Sequence, residues 1–82
     1  MPTVMRIGAL RVVVYLNDHR PAHVHVIGRG NNAIFELNAS PDKVSLRANY
    51  GFSFQEINAI RRAIVQNLAF LLAEWEKIHG PA

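Results

Sequence analysis

The sequence predicts an α+β fold: a small antiparallel β-meander of four to five strands packed by one long C-terminal helix. Three observations carry this. Residues 3–49 fall into short stretches that alternate or run β-branched, each closed by turn-forming residues. Residues 54–78 instead place apolar side chains at helical spacing. The period changes once, near Ser53, so strands and helix are segregated in the chain. The 82 residues are expected to form a single domain, with no repeat, low-complexity segment or linker.

Val4 to Ile7 is a short β-rich stretch, and Gly8-Ala9 fits a tight turn. Leu10 to Leu16 contains Val12-Val13-Val14-Tyr15 and reads as a central strand. Asn17 to Pro21 breaks it with turn-formers, Pro21 setting the backbone that leads into the next strand. His23 to Ile27 alternates, Gly28-Arg29-Gly30-Asn31-Asn32 is a turn signal, and Ala33 to Leu37 alternates again. Asn38 to Lys43 is a loop, and Val44 to Asn49 a weaker fifth strand. Ser53 and Glu56 have the spacing of a capping box, with Phe52 placed for a hydrophobic staple. The apolar stripe then runs through Phe54, Ile57, Ile60, Ile64, Leu68, Leu71, Leu72, Trp75 and Ile78, and Gly80-Pro81 ends the helix.

A helix of about 25 residues spans roughly 37 Å, whereas four or five strands are only about 19 to 24 Å wide. A straight helix therefore overhangs the sheet with Phe70, Leu71, Leu72, Trp75 and Ile78, an exposed patch that predicts a homodimer or a protein partner. A bend that folds the end back onto the first strand is the alternative.

Half of the residues are hydrophobic and 18% charged, which excludes a disordered chain. With no cysteine there are no disulfides or thiolate metal sites, and a reducing cytoplasm is the expected compartment. No signal peptide and no membrane span is read. The net charge is +3, with Arg6, Arg11, Arg20, Arg29, Lys43 and Arg47 ahead of the helix. That balance suits RNA or an acidic partner and equally suits ordinary solubility.

Three of the four histidines lie in Asn17-Asp18-His19-Arg20-Pro21-Ala22-His23-Val24-His25-Val26. His23 and His25 leave one face of a strand. If Val24 and Val26 share a side with Ala33, Phe35 and Leu37, hairpin parity pairs Ile27 with Asn32 and sets Glu36 across from His23. The expected face thus holds two imidazoles and a carboxylate, with Asp18, His19 and Arg20 in the loop before it.

Three chemistries fit. His23 and His25 with a carboxylate suit zinc or a two-histidine, one-carboxylate iron site, although no longer zinc-protease motif is present. Metal-free acid–base catalysis needs no cofactor: the histidines transfer protons while Arg20, Arg29 or Arg47 holds a phosphate, as in a small ribonuclease. A ladder of hydrogen-bonded histidines with no chemistry is the third. His79 is placed to complement the helix dipole, Arg61-Arg62 reads as a solvated face, and Tyr15 and Tyr50 could stack a base or pack at the core edge.

These residues resemble a family. Met1-Pro2-Thr3-Val4, Arg6-Ile7-Gly8 and above all Tyr15-Leu16-Asn17-Asp18-His19-Arg20-Pro21-Ala22-His23-Val24-His25-Val26 are similar to the prokaryotic "domain of unknown function 4160" family, over nearly the whole chain including Trp75. The family pattern often has two consecutive prolines where this chain has Pro21-Ala22. The resemblance implies the toxin half of a toxin–antitoxin pair, acting on RNA, with a small antitoxin-like partner. The residues carried over are Asp18, His19, His23 and His25.

Overall fold

In a computed structural model, which describes residues 3–38 and 40–80, the β-rich segments form five strands. They are β1 (Thr3–Ile7), β2 (Leu10–Val13), β3 (His23–Gly28), β4 (Asn31–Glu36) and β5 (Ser45–Tyr50). Every neighbour in sequence is a neighbour in space and every pair is antiparallel, so the sheet is a simple meander. A short 3-10 turn (Pro41–Lys43) stands in the predicted loop before β5.

The β3–β4 hairpin takes the register that parity predicts: Ile27 faces Asn32, and His23 faces Glu36. Its strands run further than the sequence suggested, leaving a two-residue turn at Arg29-Gly30, both with positive φ. That is the backbone a type I′ hairpin needs to follow the strand twist. Strand β2 ends at Val13 rather than Leu16, because the chain turns at Tyr15 toward Asp18.

The helix is capped as expected. Ser53 accepts from the Glu56 N–H at 3.1 Å, and Glu56 accepts from the Ser53 N–H at 2.8 Å. It is, however, two helices: α1 (Phe54–Gln66) and α2 (Leu68–His79). At Asn67 the backbone leaves helical geometry (φ −117°, ψ 22°), and its side-chain amide donates to the Ala63 carbonyl at 2.8 Å. A side chain that bonds the preceding turn competes with the helix ladder and bends it. The break corrects the expectation of one long helix. It corrects the overhang too: Leu68, Leu71 and Trp75 are buried and Leu72 and Ile78 pack against the core, so Phe70 alone of the predicted patch stays exposed. Burial of a side chain of that size stabilises by roughly 1.5–3 kcal/mol, enough to favour the bent course over a straight one. The exposed-patch argument for a partner loses most of its residues. Pro81, read as the helix stop, lies outside the described residues.

The core forms on one side of the sheet. Val12, Val24, Val26, Ala33 and Phe35 point from the strands toward Ile57, Ile60, Ile64, Leu68, Leu71 and Trp75. Phe52 and Ile57 are both buried, at the staple positions. Among the described residues no helix is long and apolar enough to cross a membrane.

Candidate functional site

The loop between β2 and β3 folds on Asp18. The Tyr15 N–H donates to Asp18 Oδ2 at 2.9 Å, and the Asp18 N–H donates back to the Tyr15 carbonyl at 3.1 Å. Aspartate favours such turns because its short carboxylate can satisfy local backbone donors. One carboxylate oxygen is thereby engaged and the other, Oδ1, faces the sheet.

Oδ1 meets two imidazoles. His25 Nε2 lies 3.2 Å from it and His23 Nε2 lies 3.4 Å from it. The two rings are 5.2 Å apart at 65°, so the alternation of β3 places their nitrogens against a single oxygen. Asp18 and His23 are nearly buried, and His25 is about one-fifth open, its side chain 18% exposed. His23 Nδ1 lies 2.9 Å from the Pro21 carbonyl. A carbonyl only accepts, so Nδ1 is the donor there, and a neutral His23 turns the lone pair of Nε2 toward the carboxylate. The donor atoms of Asp18, His23 and His25 all lie within 4.8 Å of one another.

Helix α2 supplies a wall that sequence reasoning did not find. The Trp75 ring lies 5.2 Å from His23 and 4.1 Å from His79, one helical turn on. His79 Nε2 lies 3.1 Å from the Tyr15 carbonyl, and the Tyr15 ring meets His25 edge-on at 4.7 Å. Arg20 donates to the His79 carbonyl at 3.2 Å, placing its cation at the negative end of α2. The expectation that His79 serves only the helix dipole thus misses its bond to the site loop. The signal present was the spacing of Trp75 and His79, which share a helix face; nothing local said what that face meets. Trp75 Nε1 is buried without a hydrogen-bond partner among the described residues.

The other predicted residues stand apart. His19 is exposed in the loop. Glu36 faces His23 in register, yet its carboxylate lies 3.4 Å from Arg47. The register shift between β4 and β5 beside Phe35 sets Arg47 within its reach. The carboxylate of the cluster is therefore Asp18 from the loop. Arg29 lies at the far end of β3 and pairs with Glu56. Glu56 is the group held below the ordinary carboxylate range, first by the Ser53 backbone N–H and then by the Ser53 side chain. Desolvation opposes this, and nearby Arg29 lowers it further. Pro21, Ala22, Leu37 and Leu72, with the polar Arg20, Asn38 and Glu76, line a groove of about 630 Å³.

The sequence matches the family described as Domain of unknown function (DUF4160) over residues 10–76, and the chain belongs to that family. Neither the curated proteins nor the solved structures give a match.

Proposed function

We propose that the protein is a metal-binding domain that holds a divalent transition-metal ion, zinc or a close relative, through Asp18 Oδ1, His23 Nε2 and His25 Nε2. One observation carries this reading: the Nε2 atoms of His23 and His25 converge on one carboxylate oxygen in a nearly buried place. His23 Nδ1 is committed to the Pro21 carbonyl, so a neutral ring leaves an electron pair at Nε2, 3.4 Å from Asp18 Oδ1. Two electron-rich atoms at that distance need a cation between them, either a proton on Nε2 or a metal ion. The two edges at Asp18 Oδ1, 3.2 and 3.4 Å, are close to that of a tetrahedral zinc site, about 3.3 Å for bonds of roughly 2.0–2.1 Å, and the three ligand atoms together span no more than 4.8 Å. The Pro21 carbonyl fits the outer-shell partner that orients a metal-ligating histidine. Three protein ligands leave a position for water or substrate, the pattern of catalytic rather than structural sites, and an ion held there supplies Lewis-acid polarisation.

Metal analysis of tag-free protein tests this. Wild type is expected to take up one equivalent of zinc, and Asp18→Asn or His23→Ala to weaken uptake by roughly 100-fold or more. A wild type that binds no zinc, nickel, cobalt or iron ends the metal reading.

The family resemblance brings a second reading, a toxin-like protein acting on RNA with His19, His23 and His25 as acid–base groups. The contact of Asp18 with His25 supports it, since a carboxylate orients an imidazole in many proton-transfer pairs. Against it, both Nε2 atoms converge on one oxygen instead of flanking a phosphate, and His19 lies outside the cluster. Induced expression separates the two: growth arrest by wild type, relieved by His23→Ala but retained by a chelator-stripped protein in cell-free translation, favours the metal-free chemistry.

A further inference from the structure

The face of the sheet turned away from the helices carries a continuous row of side chains, one from each strand. Arg6 pairs with Arg11, Arg11 with Ile27, Ile27 with Asn32, and Asn32 with Tyr50. Residues directly opposite one another in an antiparallel sheet project to the same side. Their neighbours Val12, Val26 and Ala33 project to the other side, into the core. Four strand spacings make the row about 19 Å long.

Its composition is not what a merely solvated face requires. Arg6 and Arg11 are like charges directly opposite each other, an arrangement that destabilises a sheet. Among the described residues no carboxylate pairs with either, and Arg11 reaches only the Thr3 hydroxyl, at 3.4 Å. At the other end Tyr50 is 62% exposed. Between them lie the apolar Ile27 and the amide of Asn32. The next row on the same face holds Val13, His25, Ile34 and Ala48, so His25 sits two residues, about 7 Å, along β3 from the row.

We infer that this face binds single-stranded nucleic acid, with Arg6 and Arg11 holding backbone phosphate and Tyr50 stacking an unpaired base. Paired guanidiniums left without an acid fit a phosphodiester, which they contact in a fork geometry. An exposed ring on an open sheet face offers a stacking platform that only an unstacked base can use, which selects single strands over duplex. Asn32 lies where a base edge would pass and carries both donor and acceptor. An acidic peptide would satisfy the arginines but gives Tyr50 nothing to do. Binding here does not depend on the metal reading, and the test keeps them apart.

The experiment is fluorescence anisotropy with a labelled single-stranded oligouridine of about twelve nucleotides, in low salt and both with and without EDTA, each variant checked for folding by circular dichroism. Wild type is expected to bind. The Arg6→Ala, Arg11→Ala double variant should bind at least tenfold more weakly, with a salt slope shallower by about 1.4 for two lost phosphate contacts. Tyr50→Ala should lose roughly 5- to 150-fold. Arg6→Glu should weaken binding while raising the melting temperature, because it converts a like-charge pair into an opposite one; a loss through misfolding would lower it. No binding by wild type overturns the inference. So does binding that all these variants leave unchanged, binding abolished by EDTA, or equal binding of polyglutamate.

Discussion

The two faces of this sheet are made from alternate residues of the same strands, yet they are built for different purposes. On the covered face Val12, Val24, Val26, Ala33 and Phe35 have no solvent exposure at all. On the other, Val13 is fully buried, but His25, Ile27, Ile34 and Arg11 are half-buried and Asn32 and Tyr50 are exposed. The difference teaches that strand parity keeps stability and chemistry separate. A slip of one residue would exchange them, so the register is under strong constraint. At the end of β3 the division fails, because His23 is turned against Trp75 of α2. There the helical layer reaches round to the site.

The largest effects should follow loss of the covered face. Phe35→Ala and Trp75→Ala are each expected to cost about 3–5 kcal/mol in urea unfolding, whereas Ile34→Ala, one residue from Phe35, should cost about 1 kcal/mol or less for its half-buried side chain. Equal costs at positions 34 and 35 would mean that the two faces contribute alike to stability. Trp75→Phe should be far milder than Trp75→Ala, since it keeps an aromatic ring in the core while removing a buried N–H without a partner among the described residues.

The site end should respond to ligand instead. Zinc at a free concentration about a hundred times its Kd should stabilise wild type by about 2.7 kcal/mol and leave Asp18→Asn unmoved. A thermal shift that persists in the variant would place the ion elsewhere. Smaller again is the helix cap: Ser53→Ala is expected to cost about 1 kcal/mol without touching metal uptake.

The smallest effect is on pH. Glu56 is lowered from an ordinary value of 4.5, chiefly by the Ser53 N–H. Its contribution is thus fully present above that value and is lost as pH falls through the lower, folded-state value. Stability curves of wild type and Glu56→Gln should therefore run parallel above pH 4.5 and converge below it. Curves that stay parallel into the acid range would remove Glu56 from the cap.

The hairpin register was legible because Val24, Val26, Ala33 and Phe35 had to share a side, and that parity alone set Glu36 across from His23. The cap was legible because Ser53 and Glu56 interact within one turn. The break at Asn67 was not: no proline or glycine marks it, and it depends on an amide reaching Ala63 and on what α2 gains by docking. The site was legible in part for the same reason. The spacing of His23 and His25 is local, and Asp18 lies within the same run. Its choice over Glu36 rests on a turn in the loop and a shift in β5, while Trp75 and His79 arrive through contacts more than fifty residues apart.

Trp75 is the only tryptophan in the chain, and that has an optical consequence. All indole emission originates 5.2 Å from the His23 ring and 4.1 Å from the His79 ring. Emission colour therefore registers whether α2 is seated, since water reaching the indole shifts it to the red. Emission intensity registers what stands beside His23, since a copper or nickel ion there would quench it and zinc would not. The unlabelled protein carries its own spectroscopic readout of the one place where both faces of the sheet meet.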